Sequence, residues 1–114
     1  NGVNGSLVST NVGIGTTNPS YKLSVKGNIR SEELVVETGW ADYVFEKSYN
    51  LKPLYEVEAF IQKNKHLEGI PSAKEIQANG LSVGAVQTRM MEKIEELTLY
   101  IIELKKELDS LKKQ

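Results

Sequence analysis

The chain has no cysteine, which excludes disulfides and thiolate metal sites while leaving the compartment open. Histidine occurs once, at His66, so no two-histidine metal site forms within one chain. Aspartate occurs only at Asp42 and Asp109, far apart in sequence. No stretch of about 18 apolar residues and no signal-peptide pattern is present, so nothing is expected to enter a membrane. The net charge is −1 with 25% charged residues, and the basic stripe expected of a nucleic-acid binder is missing. The chain opens Asn1-Gly2 instead of with methionine. The expectation is a fragment of a longer protein, with any targeting signal in the missing part.

What the chain does have is concentrated in its last third. Val83, Met90, Ile94, Leu97, Ile101, Leu104, Leu108 and Leu111 fall alternately four and three residues apart, and Gln87 fills the one polar gap. With Gln87, Ile94, Ile101 and Leu108 at a, and Val83, Met90, Leu97, Leu104 and Leu111 at d, one register covers four heptads without a stutter. Such a helix runs roughly 43 Å, longer than a chain of this size can cover by itself. Eight seam side chains at about 1.5–3 kcal/mol each put roughly 12–24 kcal/mol per chain at stake. The chain is therefore expected to be an obligate oligomer zipped together at its C-terminus.

Isoleucine at a with leucine at d leans towards two strands in parallel coiled coils. Met91 at e and Tyr100 at g widen the stripe, and Leu99 and Ile102 lie further round. The wide stripe favours three strands. Gln87 reads either as a register pin or as a plainly solvated residue near the helix start.

Residues 1–38 are expected to form a Gly-rich β-shaft. Val12-Gly13-Ile14-Gly15 alternates apolar residues with glycine, and Tyr21, Leu23 and Val25 alternate inward after the turn cluster at Thr16–Ser20. Glu33–Thr38 reads as a further strand ended by Gly39. Isolated two-strand units are marginal in water, so three copies wrapping a common axis would supply one another's missing strands. A connector over residues 39–80 follows, rich in aromatics at Trp40, Tyr43 and Phe45. Pro53 opens a helix with Leu54, Val57, Phe60 and Ile61 on one face, ending near Asn64. Ser72 and Glu75 form a capping box for a short helix through about Ala78, stopped by Asn79-Gly80. Ser82 is the N-cap of the terminal helix, and residues 81–114 form the trimerisation segment.

Catalytic chemistry finds little support. Thirteen glutamates concentrate on helix surfaces, where Glu92, Glu95, Glu96 and Glu103 read as a solvated face. Paired carboxylates for glycoside hydrolysis would need an extended groove that a chain of this size gives no sign of building. Gly13-x-Gly15 is not followed by a helix, so it is no phosphate loop. A ring of three His66 side chains is the one metal geometry open to a trimer; a structural histidine beside a turn is the plainer reading. No metal or cofactor is expected. Trp40, Tyr43 and Phe45 are candidate receptor contacts, since exposed aromatics stack on sugars and anchor interfaces. Against that, Tyr43 and Phe45 share strand parity and suit a packed core between shaft and coiled coil.

Val12–Pro19, Lys22–Ile29, Gly39–Phe45, His66–Ala73 and Lys93–Tyr100, in that order, resemble a motif of bacterial and phage tail-fibre-like proteins, labelled tail fibre domain or cell wall anchor protein. The resemblance implies an α+β fibrous fold: an intertwined trimeric β-shaft followed by short helices and a C-terminal parallel trimeric coiled coil. It implies a place in a virion tail fibre or a cell-surface fibre. The chain is also distantly similar to the intramolecular chaperone domains of phage tailspikes, some of which cut themselves off. Relatives carry Gly where this chain has Lys65 and Pro where it has Glu68, so Asn64 is expected to take the left-handed helix cap. The self-cleaving relatives use a Ser-Asp-x-Arg-x-Lys type motif that neither Ser31-Glu32-Glu33 nor Ser72-Ala73-Lys74 reproduces.

Together these readings give a non-enzymatic homotrimer that registers three chains and caps the end of a fibre. The alternatives are an adhesin tip that contacts a host-cell glycan or protein through Trp40, Tyr43 and Phe45, and a self-cleaving chaperone.

Overall fold

The computed structural model describes residues 10–40 and 42–113. The first nine residues of the expected shaft, Ala41 in the aromatic piece and Gln114 at the end of the trimerisation segment lie outside the described residues. The chain divides into two compact units, residues 1–35 and 36–114.

In the first unit, strands β1 (Val12–Ile14) and β2 (Leu23–Val25) pair in parallel, with Val12 opposite Leu23 and Ile14 opposite Val25. Parallel pairs ordinarily need a crossover of a dozen residues or more, and here residues 15–22 suffice. The tightness comes from the glycines and the turn. Gly15 sits at φ 77°, a region costly for a side chain-bearing residue. A Cβ on Gly13 would lie 2.4 Å from the Thr16 carbonyl oxygen, so only glycine admits that fold-back. Asn11 Nδ2 donates to the Pro19 carbonyl at 3.1 Å, and the Asn18 N–H donates to Thr16 Oγ1 at 3.2 Å, which staple the arc. The Val12 N–H reaches the Lys22 carbonyl at 2.8 Å, and the Lys26 N–H reaches that of Ile14 at 2.9 Å.

Two expectations for this region change. Tyr21 precedes the strand and is 75% exposed, and Leu23 within it is 55% exposed, so of the three expected inward residues only Val25 is half-buried in the single chain. Glu33–Thr38 forms no strand, because no neighbouring backbone pairs with it among the described residues.

The second unit holds three helices: α1 (Leu54–Asn64), α2 (Ala73–Asn79) and α3 (Val83–Lys112). Pro53 is the N-cap of α1, one position outside the first turn, where its fixed φ still suits the approach. Ser72 and Glu75 close the expected capping box on α2, and Gly80 at φ 76° ends it. Ser82 occupies the N-cap of α3, although its hydroxyl makes no capping bond. Its carbonyl instead accepts the first helical bond from the Val86 N–H at 2.9 Å.

The end of α1 corrects the expected cap. Lys65 itself adopts the left-handed conformation, at φ 63°, with its N–H donating to the Ile61 carbonyl at 2.8 Å. Asn64 remains helical, and its side-chain amide donates to the Phe60 carbonyl at 3.1 Å. A left-handed residue with a Cβ costs about 1–2 kcal/mol, partly offset by the greater unfolded-state freedom of glycine. Lys65→Gly is accordingly expected to stabilise the protein by about 0.5–1 kcal/mol. Urea unfolding at matched chain concentration reads this as a higher midpoint with an unchanged slope.

Burial within the single chain is sparse. Val44 at 2% exposure is the one buried apolar residue described. Among the described residues no helix is long and apolar enough to cross a membrane.

Candidate functional site

Helix α3 spans 30 residues, about 45 Å at about 1.5 Å per residue, and its two faces are treated differently by the rest of the unit. Every apolar position of the heptad seam faces solvent: Val83, Met90, Ile94, Leu97, Ile101, Leu104, Leu108 and Leu111 are 46–66% exposed. Gln87 is exposed with them. The half-buried residues of α3 include Thr88, Glu92, Glu95, Glu96 and Leu99 at b, c and f, opposite the seam, and Gly84, Val86, Met91, Lys93 and Tyr100 at the flanking e and g positions; none lies at a or d. Ile102 stays 45% exposed and residues 101–108 are all exposed, so the cover stops before the last three turns.

Segment 43–52 supplies that cover. Turns closed by Glu46 N–H to Tyr43 C=O at 3.1 Å and Tyr49 N–H to Glu46 C=O at 3.0 Å fold it back on itself. Tyr43 and Tyr49 consequently stack with ring centroids 5.6 Å apart. Their hydroxyls donate to the carboxylates of Glu92 and Glu96 respectively. Arg89 Nη1 reaches Glu92 at 2.8 Å and the Tyr43 hydroxyl at 3.1 Å, and Lys93 Nζ lies 3.2 Å from Glu96. Further along, the Tyr100 hydroxyl donates to the Lys52 carbonyl at 2.6 Å. Glu92 and Glu96 therefore do not form the solvated face that their spacing suggests; with side chains 13% and 17% exposed, they anchor the connector to the helix. Glu103 does remain exposed, and Glu95 Oε1 is buried without a hydrogen-bond partner among the described residues.

The latch is held electrostatically. Burial pushes the Glu92 carboxyl up, but hydrogen bonds from Tyr43 and Arg89 and the charge of Lys93 outweigh it and hold the group below the usual carboxylate range. Burial first, then the bond to Glu96, raises the Tyr49 hydroxyl well above its ordinary value. The hydrogen bond to Glu92 raises Tyr43, and burial raises Tyr100. A depressed carboxylate contributes stability above its unfolded pKa of about 4.3 and loses it as pH falls through the lower folded value. Thermal stability is expected to fall below about pH 4.3, with a shallower acid limb in Glu92→Gln. The tyrosines act in the opposite sense, with stability intact below about pH 10 and lost as pH climbs towards their raised folded values.

A second strap crosses the first turn of α3. A Cβ on Gly84 would lie 2.9 Å from Val36 Cγ1 and 3.3 Å from Thr38 Cβ, so glycine here admits the 36–38 segment against the helix. The Thr88 hydroxyl holds it through the Gly39 carbonyl at 3.1 Å. Gly84 falls at heptad position e, beside the seam.

The candidate receptor aromatics separate. Tyr43 is half-buried in the latch, whereas Trp40 and Phe45 are 56% and 57% exposed. The expected parity of Tyr43 and Phe45 in a buried sheet does not hold, because 44–48 is a run of turns that directs Val44 inward. His66 packs edge-on against Phe60 at 5.7 Å, with Nδ1 2.9 Å from the Leu67 carbonyl, a structural placement. The Ser72 hydroxyl is occupied in its capping box, accepting from the Glu75 N–H at 3.2 Å. Among the described residues no group of three or more His, Cys, Asp or Glu is placed to hold a metal ion. A cleft of about 380 Å³ lined by Val57, Phe60, Ile61, Leu67, Leu97 and Tyr100 separates α1 from α3 and reaches the seam at Leu97.

No signal short of the fold pointed to Tyr43 and Tyr49 as the partners of Glu92 and Glu96. The 43/92 and 49/96 pairs lie 49 and 47 residues apart in sequence. No protein-family model, curated protein or solved structure matches this chain.

Proposed function

We propose that this chain is a non-enzymatic trimerisation and capping module at the C-terminal end of a phage or phage-like tail fibre. One observation carries the reading: an apolar line along α3, interrupted only at Gln87, faces solvent while the chain lays its own cover on the opposite, charged face. Monomeric proteins rarely leave so long a contiguous apolar surface open. Three such lines brought together would form a parallel coiled coil with each latch on the outside. The mechanism is registration. Pairing of the helices holds three chains at high effective concentration, and the slow, non-local winding of the β-shaft then starts in register. The resemblance of five ordered stretches to tail-fibre-like proteins supports the fibre context. Equilibrium sedimentation tests the reading: the expected mass is three times the 12.7 kDa of the chain, and a stable folded monomer at micromolar concentration overturns it.

The adhesin reading keeps one supporting observation, the exposure of Trp40 and Phe45. If it holds, Trp40→Ala leaves the oligomer intact and abolishes attachment to host cells in a pull-down. If those rings instead pack between copies, the same change weakens assembly.

A further inference from the structure

The β1–β2 pairing is offset by a fixed step. Val12 faces Leu23 and Ile14 faces Val25, each eleven residues on. Taking the same step again from Leu23, Ser24 and Val25 lands on Leu34, Val35 and Val36. Apolar residues then recur in two columns, Val12/Leu23/Leu34 and Ile14/Val25/Val36, with Gly13, Ser24 and Val35 between them. A third strand in that register would preserve the facing of every side chain, as a sheet with one apolar face demands.

In the single chain this third segment has the composition of a strand and none of the pairing. Leu34, Val35 and Val36 are 68%, 84% and 44% exposed. Among the described residues their backbone makes one hydrogen bond, from the Leu34 N–H to its neighbour's side chain, Glu33 Oε1, at 2.9 Å. Among the described residues the sheet has two strands, and β2 keeps one edge unpaired. An open strand edge is a ready template for an unpaired apolar segment of matching period.

The two connectors indicate where the partner comes from. Residues 15–22 form a built arc, stapled by the Asn11–Pro19 and Asn18–Thr16 bonds and by the close approach of Gly13 to Thr16. Residues 26–33 are equal in number but carry none of these devices: no proline, no hydrogen bond from one side of the loop to the other, and adjacent like charges at Glu32-Glu33. Gly27 bends the chain there at φ 146°, but no hydrogen bond or close approach among the described residues holds that bend against β2. Eight residues extended span about 26 Å at about 3.3 Å each, enough to reach a neighbouring chain. At the end of the segment, the Val36 side chain meets α3 at Gly84, beside the seam where copies would meet.

We infer that Leu34–Val36 is a β-strand of the assembled protein, adding in parallel to the open edge of β2 in a second copy, with Leu23 opposite Leu34 and Val25 opposite Val36. This rests on the oligomeric reading above and specifies what the second copy contributes: the strand that completes each sheet. Main-chain bonds supply the attachment, and the eleven-residue step sets the register.

Because the chain has no cysteine, a double variant Ser24→Cys, Val35→Cys places two thiols opposite each other in this register and nowhere else. Chains labelled with ¹⁵N and unlabelled chains are unfolded together, refolded, cross-linked with a short bis-maleimide, and digested for mass spectrometry. The expected product is a 24–35 cross-linked peptide pair that carries mixed isotopes as often as uniform ones. Uniformly labelled pairs alone would mean that each chain folds back onto itself, and the inference falls. An absence of 24–35 pairs, with sedimentation still giving a trimer, also overturns it while leaving the oligomeric reading standing. A monomer in sedimentation removes the oligomeric reading itself.

Discussion

Replacing Ile94 and Ile101 together with aspartate is expected to turn the proposed trimer into a monomer at micromolar concentration. Both are a residues, 51% and 64% exposed in the single chain, so neither change disturbs a contact the chain makes with itself. In a trimer the two layers contain six isoleucines, whose burial is worth about 9–18 kcal/mol at about 1.5–3 kcal/mol each. Aspartate at the same places adds six carboxylates crowded into two apolar layers, and such charges stay unpaired there. With every 1.4 kcal/mol a factor of ten, the loss exceeds the association free energy of ordinary complexes. Ile102→Asp is the control. Ile102 lies at position b on the same helix and is 45% exposed, so a trimer is expected to survive the change. A double variant that still sediments as a trimer, or a control that dissociates equally, would show that the seam is not what joins the chains. Circular dichroism separates this from unfolding, because the latch on the back of α3 keeps part of the helix in the monomer.

The helices were legible because each carries its own local signals. The 3.6-residue apolar period of α1, the Ser72–Glu75 box, Asn79-Gly80 and the heptads of α3 are all short-range, and the structure places the helices within a residue or two of them. The strands were legible as segments, not as partners: alternation marks Val12–Ile14 and Leu23–Val25, but nothing local says that they run parallel through so short an arc. Glu33–Thr38 shows the same limit from the other side. Its composition suits a strand, yet strand formation needs a second backbone, and the described residues of the single chain offer none. Charge patterning misread Glu92 and Glu96 for a tertiary reason. Tyrosine can cover a helix with its ring and satisfy a carboxylate with its hydroxyl, so an acidic face need not be a wet one. Lys65 was expected to avoid a left-handed conformation, but the carbonyl of Ile61 at the end of α1 takes its N–H there and holds it in place.

Removing Tyr49 is expected to separate the two faces of α3 experimentally. Tyr49→Ala deletes the ring stacked on Tyr43 at 5.6 Å and the hydroxyl that donates to Glu96. An aromatic pair is worth about 0.5–1.5 kcal/mol beyond its area. A hydrogen bond to a charged group is worth about 1.5–3 kcal/mol. Part of the second contribution survives, because Lys93 still lies 3.2 Å from the Glu96 carboxylate. The net cost to closing the latch is therefore about 2–3 kcal/mol. Amide exchange across residues 43–52 should accelerate by about 30- to 150-fold, since exchange reports local opening directly. Tyr49→Phe keeps the stack, loses only the bond to Glu96, and should fall between the variant and the parent. Sedimentation should still give a trimer for both variants, because the seam lies on the other side of the helix and no latch residue enters it. Unchanged exchange in Tyr49→Ala would show that the tyrosines do not hold the connector. Loss of the trimer would show that the latch, and not the seam alone, shapes the interface. The expected pattern, an opened connector on an intact trimer, follows from a helix that gives its charged back to its own chain and, in the proposed trimer, its apolar front to its copies.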